Sequence, residues 1–120
     1  MPDRILVINP NSTDAVTRAI DDAMAPLRIA GGPGIDCMTL REGPPGVESQ
    51  RDADAVIAPL CRVIGDAEPE TAAFVIACFS DPGLFAARDT VRPRADRAAA
   101  SSARIFSIAF SMRLTCPPHS

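Results

Sequence analysis

Apolar and polar positions fall into alternating blocks of two periods along this chain. Arg4 to Ile8 is a short apolar run that reads as a strand, and Asn9-Pro10-Asn11-Ser12-Thr13 ends it. Proline lacks the donor a ladder needs, and asparagine favours turns. Ser12 or Thr13 then stands where a helix cap belongs. From Asp14 onward Val16, Ile20, Ala23, Met24 and Leu27 recur at helical spacing, with Asp14, Arg18, Asp21 and Asp22 outside that stripe. Pro26 and the Gly31-Gly32-Pro33-Gly34 cluster close the helix. Ile35 to Leu40 predicts a second strand, in which Cys37 is a small buried hydrophobe.

Residues 41 to 49 are too rich in Gly and Pro for regular structure, and Ser49 is placed to cap a second helix. The stripe Ala53, Val56, Ile57, Leu60, Cys61, Ile64 predicts that helix and puts Cys61 on a packing face; residues 65 to 70 stop it. The run from Thr71 to Ala77 is apolar, bounded by turn formers and rich in Phe, Val and Ile. That pattern reads as a strand buried on both faces of a parallel sheet. Cys78 stands at its carboxyl end. Asp81-Pro82-Gly83 breaks the run, and Leu84 to Arg88 is helical in character.

Strand and helix thus alternate three times with short connections, the pattern of an α/β fold with right-handed crossovers: half of a doubly wound, mostly parallel sheet. Residues 1–91 form this lobe. In such sheets ligands collect outside the carboxyl ends of the strands. The loops Asn9–Thr13, Gly43–Ser49 and Cys78–Gly83 are expected to meet there. Cys78 would face the amides of a helix start, a setting that favours a thiolate, and Asp81 would accept amides at that start.

Residues 92–120 differ in character. Between 92 and 102 no apolar periodicity exists; Phe106, Ile108, Phe110, Met112 and Leu114 then alternate with Ser, Ala, Ser and Arg, which permits a half-exposed edge strand. Thr115 to Ser120 reads as a disordered end, with His119 idle in it. The segment as a whole reads as a divergent or frameshifted tail.

Composition narrows the function classes. The net charge is -3, unevenly spread: residues 1 to 91 hold 7 Arg against 14 Asp and Glu, and residues 92 to 120 hold 5 against 1. Five arginines without interleaved aromatics do not make the dense basic face of a nucleic-acid binder. The amino terminus fits neither a signal-peptide core nor a membrane span, so a cytoplasmic location is expected. Four cysteines without paired spacing read as reduced thiols, and no His/Cys cluster suggests a metal site.

Taken together, Ile8-Asn9-Pro10-Asn11-Ser12-Thr13, Gly43-Pro44-Pro45-Gly46-Val47-Glu48-Ser49 and Ala77-Cys78-Phe79-Ser80-Asp81-Pro82-Gly83-Leu84 resemble the Asp/Glu/hydantoin racemase family over roughly residues 4 to 93. The Cys-Phe-Ser-Asp-Pro-Gly-Leu form is most similar to its hydantoin racemase branch. The resemblance implies one flavodoxin-like lobe of a two-lobe fold, with one cysteine per lobe facing a shared cleft. It also implies inversion of a carbon next to a carbonyl without metal or organic cofactor. Such a reaction needs one group to remove the proton, another to return one on the opposite face, and donors to hold the developing enolate.

By the same resemblance Cys78 is the catalytic thiol of the first lobe, Phe79 and Ser80 hold carbonyl or carboxylate oxygens, and Asn9 and Asn11 orient the substrate. Glu48 and Ser49 line the second loop and receive no chemical role. The pattern departs from the family after Pro93: Arg104 to Ile108 is a faint remnant of the next strand, and Cys116 does not match the partner cysteine's context. The expected partner is a small molecule, a hydantoin or amino-acid derivative, and the isolated chain is expected to turn over little and to be able to self-associate.

Rival readings remain open. A maleate isomerase type keeps both cysteines; an arylmalonate decarboxylase type replaces the first, the reverse of this pattern. A truncated half-domain that binds carboxylates, or a thiol-redox module built on Cys78 with Cys37 or Cys61, belongs to other classes. Each motif also has a bland account: a strand-end core thiol for Cys78, and ordinary turn and cap chemistry for Asn9 to Ser12.

Overall fold

Two five-residue apolar strands make the floor of the molecule, and everything else is placed by how the chain leaves them. The computed structural model describes residues 3–91 and 104–108. In chain order it contains β1 (Ile5–Asn9), α1 (Asp14–Met24), β2 (Ile35–Thr39), α2 (Gln50–Ala67), β3 (Ala73–Ala77), α3 (Leu84–Thr90) and β4 (Arg104–Ile108), with 3-10 turns at Ala25–Leu27 and Glu68–Glu70. The strands lie in the order β2-β1-β3-β4, and every pair is parallel. The expected α/β fold with a parallel sheet is therefore present.

The chain leaves β1 toward one side of the sheet and returns from β2 across it to β3. Right-handed crossovers then require α1 and α2 on opposite faces, and the packing places them so. Leu6, Ile8, Phe74, Ile76 and Ile105 meet Val56, Leu60 and Ile64 of α2 together with Ala87 and Val91. Val7, Val75 and Ala77 point the other way, to Ile20 and Met24 of α1. Because successive strand side chains alternate faces, one run such as Phe74-Val75-Ile76-Ala77 feeds both layers, which is why it is apolar throughout.

Packing departs from the helical stripes in two places. Leu27 is 59% exposed and Ala23 is also exposed, so the inner face of α1 ends at Met24. Pro26 has no N–H to continue the helix. The chain turns through 25–27, and the Arg28 side chain folds back to donate to the carbonyl of Ile35. In α2, Ile57 is partly exposed and Cys61 half-buried, while Pro59, which the stripe omits, is buried inside the helix. Ser49 caps α2 as expected, its hydroxyl accepting from Asp52 N at 3.1 Å. Thr13 occupies the α1 cap position without capping it; its hydroxyl donates to the Pro45 carbonyl at 2.7 Å instead.

At the far edge β4 pairs with β3, Phe74 opposite Ile105. The phase is the reverse of the alternation in the sequence: Ile105 is buried with the α2 and α3 layer, and Phe106 is 49% exposed. Among the described residues α1 packs on β1 and β2, at the other end of the sheet. The readings placed on residues 92–103, on Phe110, Met112, Leu114 and Cys116, and on the closing residues 115–120 lie outside the described residues.

Candidate active site

The connection from β1 runs to β2 on one side, and the connection from β3 runs to β4 on the other. The carboxyl ends of β1 and β3 therefore flank the topological switch point, where an open parallel sheet leaves a crevice. Asn9 ends β1, one residue beyond Ile8, and Cys78 directly follows β3, two residues beyond Ile76, the partner of Ile8. Two of the three predicted loops leave the sheet side by side at this point.

Loops 9–13 and 43–49 are knitted together. Ser12 N donates to Pro44 O at 2.9 Å, alongside the Thr13 to Pro45 bond. Gly43 makes the close approach possible, since a Cβ there would sit 2.3 Å from the Pro10 carbonyl oxygen. Asn9 is 1% exposed, and its side chain serves the loop: Nδ2 donates to Asn11 Oδ1 at 2.9 Å and to Thr17 Oγ1 at 3.0 Å, while Oδ1 accepts from Asn11 N. Asn11 Oδ1 also accepts from Thr13 N at 3.0 Å. Asn11 Nδ2 has no hydrogen bond among the described residues, and Asn11 is half-buried.

Behind this loop lies a polar group that sequence reasoning missed. Thr17 and Thr39 hydroxyls meet at 2.6 Å, Thr39 donates to Asp14 Oδ1 at 2.8 Å, and Arg41 pairs with Asp14 Oδ2 at 3.0 Å. The Thr39 hydroxyl, and after it Arg41, hold the Asp14 carboxyl below the usual carboxylate range. One signal was available: Thr39 ends β2 opposite Asn9 in register, and Asp14 and Thr17 share a face of α1.

Loop 78–83 is more open. Cys78 is half-buried, with Sγ 3.6 Å from Ser80 Oγ, and its carbonyl accepts from Asp81 N at 3.3 Å. Phe79 is 76% exposed and Ser80 is exposed. The hydrogen-bond partner of the thiol is the Ser80 hydroxyl, and α3 begins at Leu84 behind a left-handed Gly83 (φ 74°). Asp81 does not make the side-chain cap of α3 expected of it. Asp81 itself stands at φ 50°, its carbonyl accepts from Leu84 N, and its carboxylate takes the hydroxyl of Ser107 on β4.

Between this loop and the start of α2 is a cleft of about 380 Å³, with Glu48, Ser49, Asp54, Ile57, Ser80 and Gly83 in its wall. Of the predicted site residues, Ser80 lines it; Cys78, Phe79, Asn9 and Asn11 lie outside its lining. Cys37, on β2 under α1, is a different kind of thiol: burial first, then the neighbouring Asp21, push its pKa up to about 11. Among the described residues no three His, Cys, Asp or Glu side chains gather as metal ligands, and no helix is long and apolar enough to cross a membrane.

Comparison with known proteins fits this layout. A family model described as Asp/Glu/Hydantoin racemase matches residues 5–93. The chain is 41% identical over 93 residues to a hydantoin racemase of Paenarthrobacter aurescens, a match covering 75% of this chain and 39% of that protein. It is 40% identical over 87 residues to a hydantoin racemase of Pseudomonas sp. (strain NS671), covering 72% and 34%. The structure of allantoin racemase from Klebsiella pneumoniae aligns with a TM-score of 0.70 and 30% identity, over 88% of this chain and 39% of that one. The chain thus spans about two fifths of the length of the relatives it matches. On the strength of the family match and a shared fold, this chain belongs to the Asp/Glu/hydantoin racemase family.

Proposed function

We propose that this chain carries one acid/base lobe of a hydantoin-type racemase, with Cys78 as its proton-transfer group. A 5-substituted hydantoin has a weakly acidic C–H beside a carbonyl. The Cys78 thiolate takes that proton, the C–H electron pair moves into the carbonyl as an enolate, and a proton is returned to the opposite face by a second group. This chemistry runs on side-chain and backbone groups and calls for neither metal nor organic cofactor. The thiolate is the reactive form of cysteine, and hydrogen-bond donors at the oxygen stabilise the enolate as charge develops. Ser80 and Phe79 stand next to the thiol on loop 78–83, and Asn11 offers its Nδ2 from the adjacent loop. Asn9, its amide already spent inside the loop, acts by holding Asn11. Phe79 presents its exposed ring, and the Phe79 amide, to the substrate.

The observation that carries the reading is the position of a half-buried thiol at the switch point of the sheet, with a hydroxyl 3.6 Å from it. The full chain, incubated in D2O with one enantiomer of a 5-substituted hydantoin, tests it by two readouts. Deuterium entering C5 faster than in buffer reports the first proton transfer; loss of optical rotation reports the second. We expect exchange above buffer, abolished in Cys78→Ser, and little change in rotation, since this lobe supplies one of the two groups. Exchange no faster than buffer, or unchanged in Cys78→Ser, overturns the assignment.

A further inference from the structure

We infer that Asp14, Thr39 and Thr17 are positioning residues: together they fix the direction of a hydrogen-bond chain through Asn9, so that Asn11 presents Nδ2, and not Oδ1, to a ligand oxygen. The ligand half of this inference rests on the racemase reading above. The direction itself is set by which groups can only donate and which can only accept.

An ionised carboxylate accepts only. Thr39 Oγ1, 2.8 Å from Asp14 Oδ1, must therefore spend its single proton on Asp14. The contact between Thr17 and Thr39 at 2.6 Å leaves the donor open by distance alone, but Thr39 has no proton left, so Thr17 donates. Thr17 Oγ1, its own proton spent on Thr39, can only accept from its other neighbour, Asn9 Nδ2 at 3.0 Å. The chain is fixed independently at its other end. Backbone amides only donate, so the Asn9 atom facing Asn11 N at 3.2 Å is Oδ1, and the Asn11 atom facing Thr13 N at 3.0 Å is Oδ1.

Asn9 Nδ2 also faces the Thr13 carbonyl at 3.3 Å, so its two protons are shared among three acceptors, all of which call for the NH2 there, and the two ends agree on the orientation of Asn9. With Oδ1 of Asn11 held by Thr13 N and by Asn9 Nδ2, the Asn11 NH2 is left as the outward group, a donor matched to a carbonyl or carboxylate oxygen. A ligand whose facing group is a donor meets a second donor at Asn11 Nδ2. Arg41 at 3.0 Å from Asp14 Oδ2 keeps the carboxyl ionised, and so keeps the chain pointing one way.

The test reads the side-chain amide protons of Asn9 and Asn11 in the full chain by 15N-resolved hydrogen exchange, before any ligand is added. In the wild type the Asn9 NH2 should be protected and the Asn11 NH2 should exchange freely. Thr17→Val should cut the Asn9 protection roughly fivefold, the equivalent of one hydrogen bond, and move the Asn11 side-chain resonances. Thr17→Ser, which keeps the hydroxyl, should restore both. Asp14→Asn, at an exposed position, provides a second variant should Thr17→Val not fold; an amide can face Thr39 as donor or acceptor, so protection at Asn9 should fall there too.

Protection of Asn11 equal to that of Asn9 in the wild type overturns the inference. So does a Thr17→Val chain that melts earlier while the Asn11 resonances stay fixed, the mark of a purely structural threonine. Titration with racemic 5-methylhydantoin then examines the ligand half. Shifts at the Asn11 NH2 support it. Shifts around Cys78 without any at Asn11 overturn the donor role while the racemase reading stands. Shifts nowhere, with no C5 exchange, defeat the racemase reading and with it the ligand half, and leave the chain's direction to be decided by the exchange data alone.

Discussion

The two sides of the sheet's mouth are built in opposite ways. On the β1–β2 side, loops 9–13 and 43–49 are tied by backbone and side-chain hydrogen bonds, and Asn9, Thr17 and Thr39 spend their polar groups on one another. On the β3 side, loop 78–83 carries an exposed Phe79, an exposed Ser80 and a thiol whose polar partner is a hydroxyl at 3.6 Å. The saturated side can hold a ligand group in one orientation at little entropic cost. The open side keeps its thiol accessible, as proton transfer to a substrate carbon requires. In the function proposed above, binding geometry is set by one half of the mouth and chemistry is left to the other.

The largest test of this contrast removes the floor the two sides share. Phe74→Ala deletes, from β3, the largest fully buried side chain among the described residues, at 0% exposure, and should cost about 3–5 kcal/mol in urea unfolding. Next, Gly43→Ala drives a Cβ toward the Pro10 carbonyl oxygen, where 2.3 Å is available, and backbone cannot rotate away as a side chain can. It should cost roughly 1–3 kcal/mol, and amide shifts should spread through residues 9–13 while Cys78 stays quiet. Thr13→Val removes one bond of the same seam, to Pro45 O, and should cost about 1 kcal/mol. If Gly43→Ala disturbed loop 78–83 as strongly as loop 9–13, the two sides would not be separate.

Acid is a milder probe of the saturated side. The Asp14 carboxyl is held low by Thr39 and Arg41, with Arg18 adding a smaller pull. A depressed folded value means the native state binds fewer protons, so the contribution is present above the unfolded value of about 3.9 and fades as pH falls through the lower folded one. The urea midpoint of the wild type should therefore drop more between pH 5 and pH 3 than that of Asp14→Asn.

How much of this is legible in the sequence depends on range. The strands and the Ser49 cap can be read because apolar runs, Pro/Gly breaks and a serine three residues before its donor amide are local signals. Leu27 escapes because helical spacing does not register where Pro26 bends the chain. Asp81 reads as a cap, since that role lies within its own neighbourhood; its partner Ser107 is 26 residues away. Thr17 and Thr39 each look like ordinary polar positions until the packing of α1 on β2 brings their hydroxyls to 2.6 Å. The loops fall at the strand ends as their turn formers predict, but Asn9 and Asn11 look alike in sequence, and only the structure shows that the first is buried and the second half-buried.

The smallest effect is expected at Phe79, and it sharpens the contrast most. Phe74 and Phe79 are the same residue type five positions apart, at 0% and 76% exposure. An aromatic ring stabilises a fold only where folding removes water from it, so Phe79→Ala should leave the unfolding free energy within about 0.5 kcal/mol of wild type. An exposed ring beside a thiol has no stability role to explain its presence. Its consequence should appear elsewhere: in the Cys78-dependent deuterium exchange of a 5-substituted hydantoin, where a ring that covers the substrate also excludes water from the forming enolate. A Phe79→Ala chain that unfolds like wild type but exchanges C5 more slowly would place the ring with the thiol as part of the open side. One that loses stability as Phe74→Ala does would mean that loop 78–83 is packed, and the distinction between the two sides would fall.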